Sequence, residues 1–237
     1  VNVSGLVAGN VIVDNRCDRG GGGFLNDTTN QNAVRLERNR VERNSGTEAD
    51  AHGGGFYLFG KSLAIVGNHF AGNEVSKWGG GLYVGAYVDG GQPTSAKLAW
   101  NVYVGNKAGV SGGGFFCDDG AQCTSENELF VANCGGNVLL DGGTSTAPTV
   151  ARFDHMTNVG AREVGCGAPG VGVQIDRADS TAPDAYSFRN SLFWDNGEGL
   201  DFRLVCDTAC DKLKVSAQHT MMQPRYFKQG ASIALGK

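Results

Sequence analysis

The chain has 237 residues and a formal net charge of −4, with Gly 38, Pro 5 and Cys 7. The acidic balance argues against a nucleic-acid partner, and scarce proline without a Gly-X-Y period excludes collagen. No apolar run is long enough to cross a bilayer as a helix. The length suits one domain over residues 1–237. The start at Val1, without Met or a signal-peptide pattern, reads as a processed piece of a longer exported product.

Self-similarity is the strongest signal. Residues 6–26, 36–59, 63–84 and 98–117 each run through an alternating apolar stretch, an Asn, a second short stretch, another Asn, a polar turn and then Gly-Gly-Gly before an apolar residue. The first Asn falls at Asn10, Asn39, Asn68 and Asn101, and the second at Asn15, Asn44, Asn73 and Asn106. The glycine runs precede Phe24, Phe56, Leu82 and Phe115, and the turn before them absorbs the length variation, as a surface loop can. Decayed copies follow at Leu129 to Leu140, Phe153 to Ile175 and Phe188 to Phe202.

Apolar residues alternate over short stretches such as Val11 to Val13, Ala64 to Val66 and Val102 to Val104, which predicts strands. No stretch carries the apolar face of a helical repeat. A β-propeller has blades of similar length, but its longer strands and Trp-Asp signatures are missing. The expected fold is all-β: a right-handed parallel β-helix of about seven to eight rungs. The regular rungs are 6–117, the divergent rungs 118–211, and 212–237 is a C-terminal cap. Stacked coils place each Asn about 4.8 Å above its equivalent, so both Asn sets should form amide ladders. The glycines should supply positive-φ turns and close backbone approach. The aromatics after them should stack in the core or along one face.

Phe70-Ala71-Gly72-Asn73 and Phe193-Trp194-Asp195-Asn196, with the Gly-Gly-Gly-Phe and Gly-Gly-Gly-Leu runs, resemble the repeats of polymorphic outer membrane proteins. Those repeats read Phe-x-x-Asn and Gly-Gly-Ala-Ile/Leu, so Gly replaces Ala here. The resemblance covers 6–117 well and 129–202 weakly. It implies a pectin-lyase-like β-helix in an exported, surface-exposed bacterial protein, often an adhesin. It is not specific for activity, because fold does not imply function. The family's membrane barrel is not in this sequence.

Cys117 and Cys123 flank a short polar loop, as do Cys206 and Cys210, and both pairs read as loop staples. Cys134 and Cys166 can meet on neighbouring rungs, leaving Cys17 over. Disulfides go with an oxidising compartment. Spacings for zinc are absent.

Several acidic residues close late strands. Asp118, Asp141, Asp176 and Asp201 can stack and take Ca²⁺, or stand as solvated strand ends beside Arg152, Arg177 or Arg203. No other cofactor is implied. The best catalytic constellation is Asp141, Arg152, His155, Asp176 and Arg177, which a lyase or hydrolase of acidic polysaccharides needs for charge neutralisation and proton transfer. Asp154 and His219 are further acid–base candidates, while His52 and His69 read as structural. Gly165 to Gly170 matches Gly-x-Gly-x-x-Gly, but no helix follows it, so it reads as a turn. The sequons at Asn2 and Asn26 read as incidental. Trp78, Tyr87, Trp100 and Trp194 can stack on sugars, contact a protein or fill the core, and the variable turn around Trp78 predicts exposure there.

The functional expectation is an extracellular or cell-surface structural or adhesive module whose partner is a carbohydrate or a surface protein. The alternatives are a polysaccharide-active enzyme and a subunit of a larger surface assembly. A charged groove crossing consecutive rungs separates the enzyme from the adhesin.

Overall fold

The computed structural model describes residues 5–26, 33–86, 93–118, 120–142, 147–162, 166, 170–177, 183–197, 201–206, 210–222, 226–228 and 233–235. Tyr87 and the Ser and Thr positions of the two sequons lie outside them.

The described chain is a parallel β-solenoid. It visits four sheets in turn and returns to the first one coil later. A nine-stranded sheet starts at Gly5–Ala8 and runs through Ala33–Glu37, Ser62–Val66, Ser95–Ala99, Gln122–Glu126, Val150–Asp154, Ala185–Arg189 and Lys214–Gln218 to Ile233–Leu235. A seven-stranded sheet starts at Val11–Val13 and ends at Leu192–Trp194. A four-stranded sheet of two-residue strands links Arg16–Cys17 to Lys107–Ala108. An eight-stranded sheet runs from Gly23–Asn26 to Tyr226–Lys228. Every ladder is parallel and in register, so equivalent residues of successive coils form columns.

Strand alternation decides what enters the coil. In the nine-stranded sheet Leu63 and Ile65, Ala96 and Leu98, and Ala151 and Phe153 point inward and are buried. In the seven-stranded sheet the middle residue points inward. Phe70, Tyr103 and Phe130 stack nearly parallel there, with ring centroids 5.0 and 4.6 Å apart. Of the aromatics after the glycine runs, Phe56 and Phe115 enter this core. Tyr57, Tyr83 and Phe116 alternate to the outside and form a second cluster with Phe59, Trp78 and Leu139. Both expected locations are therefore used, one on each side of the same sheet.

The corners repeat as strictly as the strands. Between the nine- and seven-stranded sheets stand Gly9, Arg38, Gly67, Trp100, Asn127, His155, Asn190 and His219, all with φ between 48° and 66°. Inside that corner, Asn10 donates its side-chain amide to Asn39 Oδ1, Asn39 to Asn68, and Asn68 to Asn101, at 2.9–3.2 Å. Each of these oxygens also takes a backbone N–H from the coil before it. The amide of Asn39 also reaches back to the Val7 carbonyl, and that of Asn68 to Leu36. The second ladder joins Asn15, Asn44, Asn73 and Asn106 in the same way and continues to Asn133. Backbone groups at a buried corner need partners, and the amides supply them.

The glycine runs carry the chain past its neighbours. Gly79 and Gly112 have φ of 71° and 69°. A Cβ on Gly113 would lie 2.2 Å from the Cys134 carbonyl oxygen.

Three disulfides, Cys117–Cys123, Cys134–Cys166 and Cys206–Cys210, close within this framework. Cys17 is free and exposed.

Candidate functional site

The outward residues of the nine-stranded sheet form a groove of about 750 Å³ across the strands from Ser95–Ala99 to Lys214–Gln218. Its floor is the column Lys97, Thr124, Arg152, Ser187 and Ser216, one residue per coil. Beside it runs the column Ala99, Glu126, Asp154, Arg189 and Gln218. The corner residues that follow are Trp100, Asn127, His155, Asn190 and His219.

Trp100 is 64% exposed and holds φ at 59°. The left-handed region disfavours a bulky side chain, so an exposed Trp there costs stability without adding core packing.

Charge alternates along the groove. Lys97 and Arg152 stand two coils apart, and the intervening coil presents Thr124 and Glu126. Asp154 accepts the Asn190 amide at 2.8 Å and Arg189 at 2.9 Å, and lies 3.1 Å from His155 Nδ1. The Asn190 hydrogen bond, with help from the Arg189 guanidinium, holds the Asp154 carboxyl below the usual carboxylate range. Asp154 is therefore ionised at neutral pH and has no proton to give as a general acid.

The structure divides the proposed catalytic constellation. Arg152 lies on the groove floor and His155 at the adjoining corner. Asp141 and Asp176 are register partners on the eight-stranded sheet instead. Arg177 follows on that strand, and its side chain lies outside the described set. Asp118 follows Cys117, whose register partner Leu140 precedes Asp141, so Asp118, Asp141 and Asp176 share one column. The Tyr83 hydroxyl donates to Asp118, and Gln174 reaches Asp176 at 3.5 Å. Asp201 does not join this column. It is fully buried at the opposite end of its strand and accepts the Asn196 amide at 2.8 Å. Its acidity serves the interior ladder, where an acceptor is needed. Among the described residues no group of three or more His, Cys, Asp or Glu is arranged to hold a metal ion.

Trp78 departs from its expected exposure. It is half-buried, stacks on His52 at 5.1 Å and contacts Phe116 at 6.1 Å, because the turn folds back over the outward aromatics. Trp194 is 52% exposed at the edge of the seven-stranded sheet.

Two groove features escaped the sequence reading: Lys97 and Glu126. Their signal was their fixed place in each repeat, two residues apart on the outward side of a strand. Among the described residues no helix is long and apolar enough to cross a membrane. No family model, curated protein or solved structure matches the chain.

Proposed function

We propose that the protein is an extracellular or cell-surface binding module that lays an extended glycan along the groove of its nine-stranded sheet. The carrying observation is the groove itself, built from one floor residue per coil over five coils. Such a site matches a chain-like ligand, with hydroxyls from Thr124, Ser187 and Ser216 and a stacking ring at Trp100. Three disulfides fit an oxidising compartment. The likeness of the repeats to polymorphic outer membrane proteins fits an adhesive role at a bacterial surface.

Binding of the purified chain to arrayed glycans tests this reading, with Trp100→Ala as the comparison. Retention of a glycan by the native chain, weakened in the variant, is the expected result. Failure to retain any glycan, or retention unchanged in Trp100→Ala, overturns it.

A polysaccharide-active enzyme is the second reading, favoured by the charged residues on consecutive coils of the groove. It requires an unsaturated or shortened product from an acidic polysaccharide, lost on Arg152→Ala. Asp154, held ionised, can act there only as base or nucleophile, so hydrolysis would need a separate protonated acid in the groove.

A further inference from the structure

We infer that the groove selects an anionic glycan carrying one acidic group per disaccharide. This rests on the glycan-binding reading above and adds the spacing of charge. The outward central column of the sheet reads Arg35, Ala64, Lys97, Thr124, Arg152, Ser187. Cations therefore stand on alternate coils at Arg35, Lys97 and Arg152, about 9.6 Å apart at the parallel-ladder spacing, and Ser216 ends the run. Small uncharged residues fill the coils between.

Arg35 pairs with Glu37 on its own strand. Lys97 and Arg152 are exposed, and no ion pair of either is found among the described residues. Two solvated cations at this distance meet anions at the same distance, and an extended β-linked disaccharide spans a similar length.

The intervening coil supplies the discrimination. Glu126 is exposed on the intervening strand, two residues beyond Thr124, in the side column between Ala99 and Asp154, where Arg189 already pairs with Asp154. An acidic group on every sugar would bring one carboxylate against Glu126, a like-charge contact that costs affinity. A neutral sugar at that position meets the Thr124 hydroxyl instead. The net charge of −4 gives the chain as a whole no attraction for polyanions, so a local array of cations such as this column has to supply it.

Surface plasmon resonance against three immobilised polymers tests the inference. The polymers are hyaluronan, with one carboxylate per disaccharide; polygalacturonate, with one on every sugar; and neutral dextran. The native chain is expected to bind hyaluronan at least tenfold more tightly than the other two, with affinity falling as salt rises. The double variant Lys97→Ala/Arg152→Ala should lose at least tenfold on hyaluronan, while Arg43→Ala on another face should not. Glu126→Gln should narrow the gap between hyaluronan and polygalacturonate. Circular dichroism confirms that each variant is folded. Equal binding of all three polymers, or hyaluronan binding unchanged in the double variant, overturns the spacing argument. Failure on all three polymers alongside Trp100-dependent retention of another glycan removes this inference and leaves the binding module standing. Failure on all three and on the glycan array removes both.

Discussion

Asn101 donates its side-chain amide to Glu128 Oε1 at 3.1 Å, where the three coils before it present an Asn oxygen. The ladder stops there, because the next coil places Met156 at this position and Met has no acceptor for a further amide. The Glu128 carboxyl takes over the acceptor role, receiving both the backbone N–H and the side-chain amide of Asn101 at Oε1. Burial raises the Glu128 pKa to about 8, with only the Asn101 hydrogen bonds and Tyr103 opposing.

Stability should therefore fall as pH rises through the range set by Glu128. The unfolded carboxyl releases its proton near 4.5, while the folded one keeps it to about 8. Below the lower value both states are protonated and no penalty exists. Between the two values the unfolded state alone gains by ionising, and the loss approaches on the order of 5 kcal/mol above the upper one. Glu128→Gln keeps the acceptor and cannot ionise. Urea midpoints measured across this range should slope downward in the native chain and lie flatter in the variant.

Asn73→Ala should destabilise more than Asn10→Ala. Asn73 is fully buried, accepts from the Asn44 backbone and side chain, and donates to Asn106 and to the Val41 carbonyl. Its removal strands buried groups on both neighbouring coils, a cost of about 2–4 kcal/mol. Asn10 is exposed at the first described coil, so water replaces what it loses. Chemical denaturation of the two variants gives the comparison directly.

Trp100→Gly should separate stability from binding. Glycine adopts φ of 59° without penalty, so the variant should gain about 1 kcal/mol, or a rise in Tm of about 2–4 °C. Retention of a glycan should fall in the same protein. A lower Tm would mean that the indole contributes packing despite its exposure.

The Cys134–Cys166 bridge closes a span of 32 residues, against 4 for Cys206–Cys210. Loop entropy assigns about 3.7 kcal/mol to the first and about 1.9 to the second. Cys134→Ser/Cys166→Ser should therefore lower the urea midpoint more than Cys206→Ser/Cys210→Ser. Equal losses would place the contribution of both bridges in native packing.

Gly113→Ala should fold poorly or not at all, since its Cβ would sit on the Cys134 carbonyl, which is backbone and cannot turn aside. Gly105→Ala makes the contrast. No atom lies within 4 Å of its Cβ, and its φ of 60° costs only about 1–2 kcal/mol. Soluble yield and Tm of the two variants check the difference.

The sequence by itself determined the coil. The eight Asn positions were legible because a stacked corner demands the same residue at the same place in every repeat, and the cysteine pairs because their spacing matched single loops and adjacent coils. Later members such as Asn133 and Asn196 were legible as repeat positions, but their partners were not. Asn133 donates to Asn137, only four residues on, because Ala161 on the next coil has no side-chain oxygen to accept and Asn137 turns in from the far side of the bend to supply one. Such a substitution depends on which side chain can reach a hole, and a linear pattern does not carry reach. The groove was hidden for a related reason. Lys97, Glu126 and Arg152 lie far apart in sequence, and only parallel register makes them neighbours. The same register put Asp141 and Asp176 on a different sheet from Arg152, dividing a constellation that had been assembled from residue type alone. Repetition along the chain specifies the fold because every coil solves the same packing problem. The site arises across coils, so tertiary structure alone decided which charges meet.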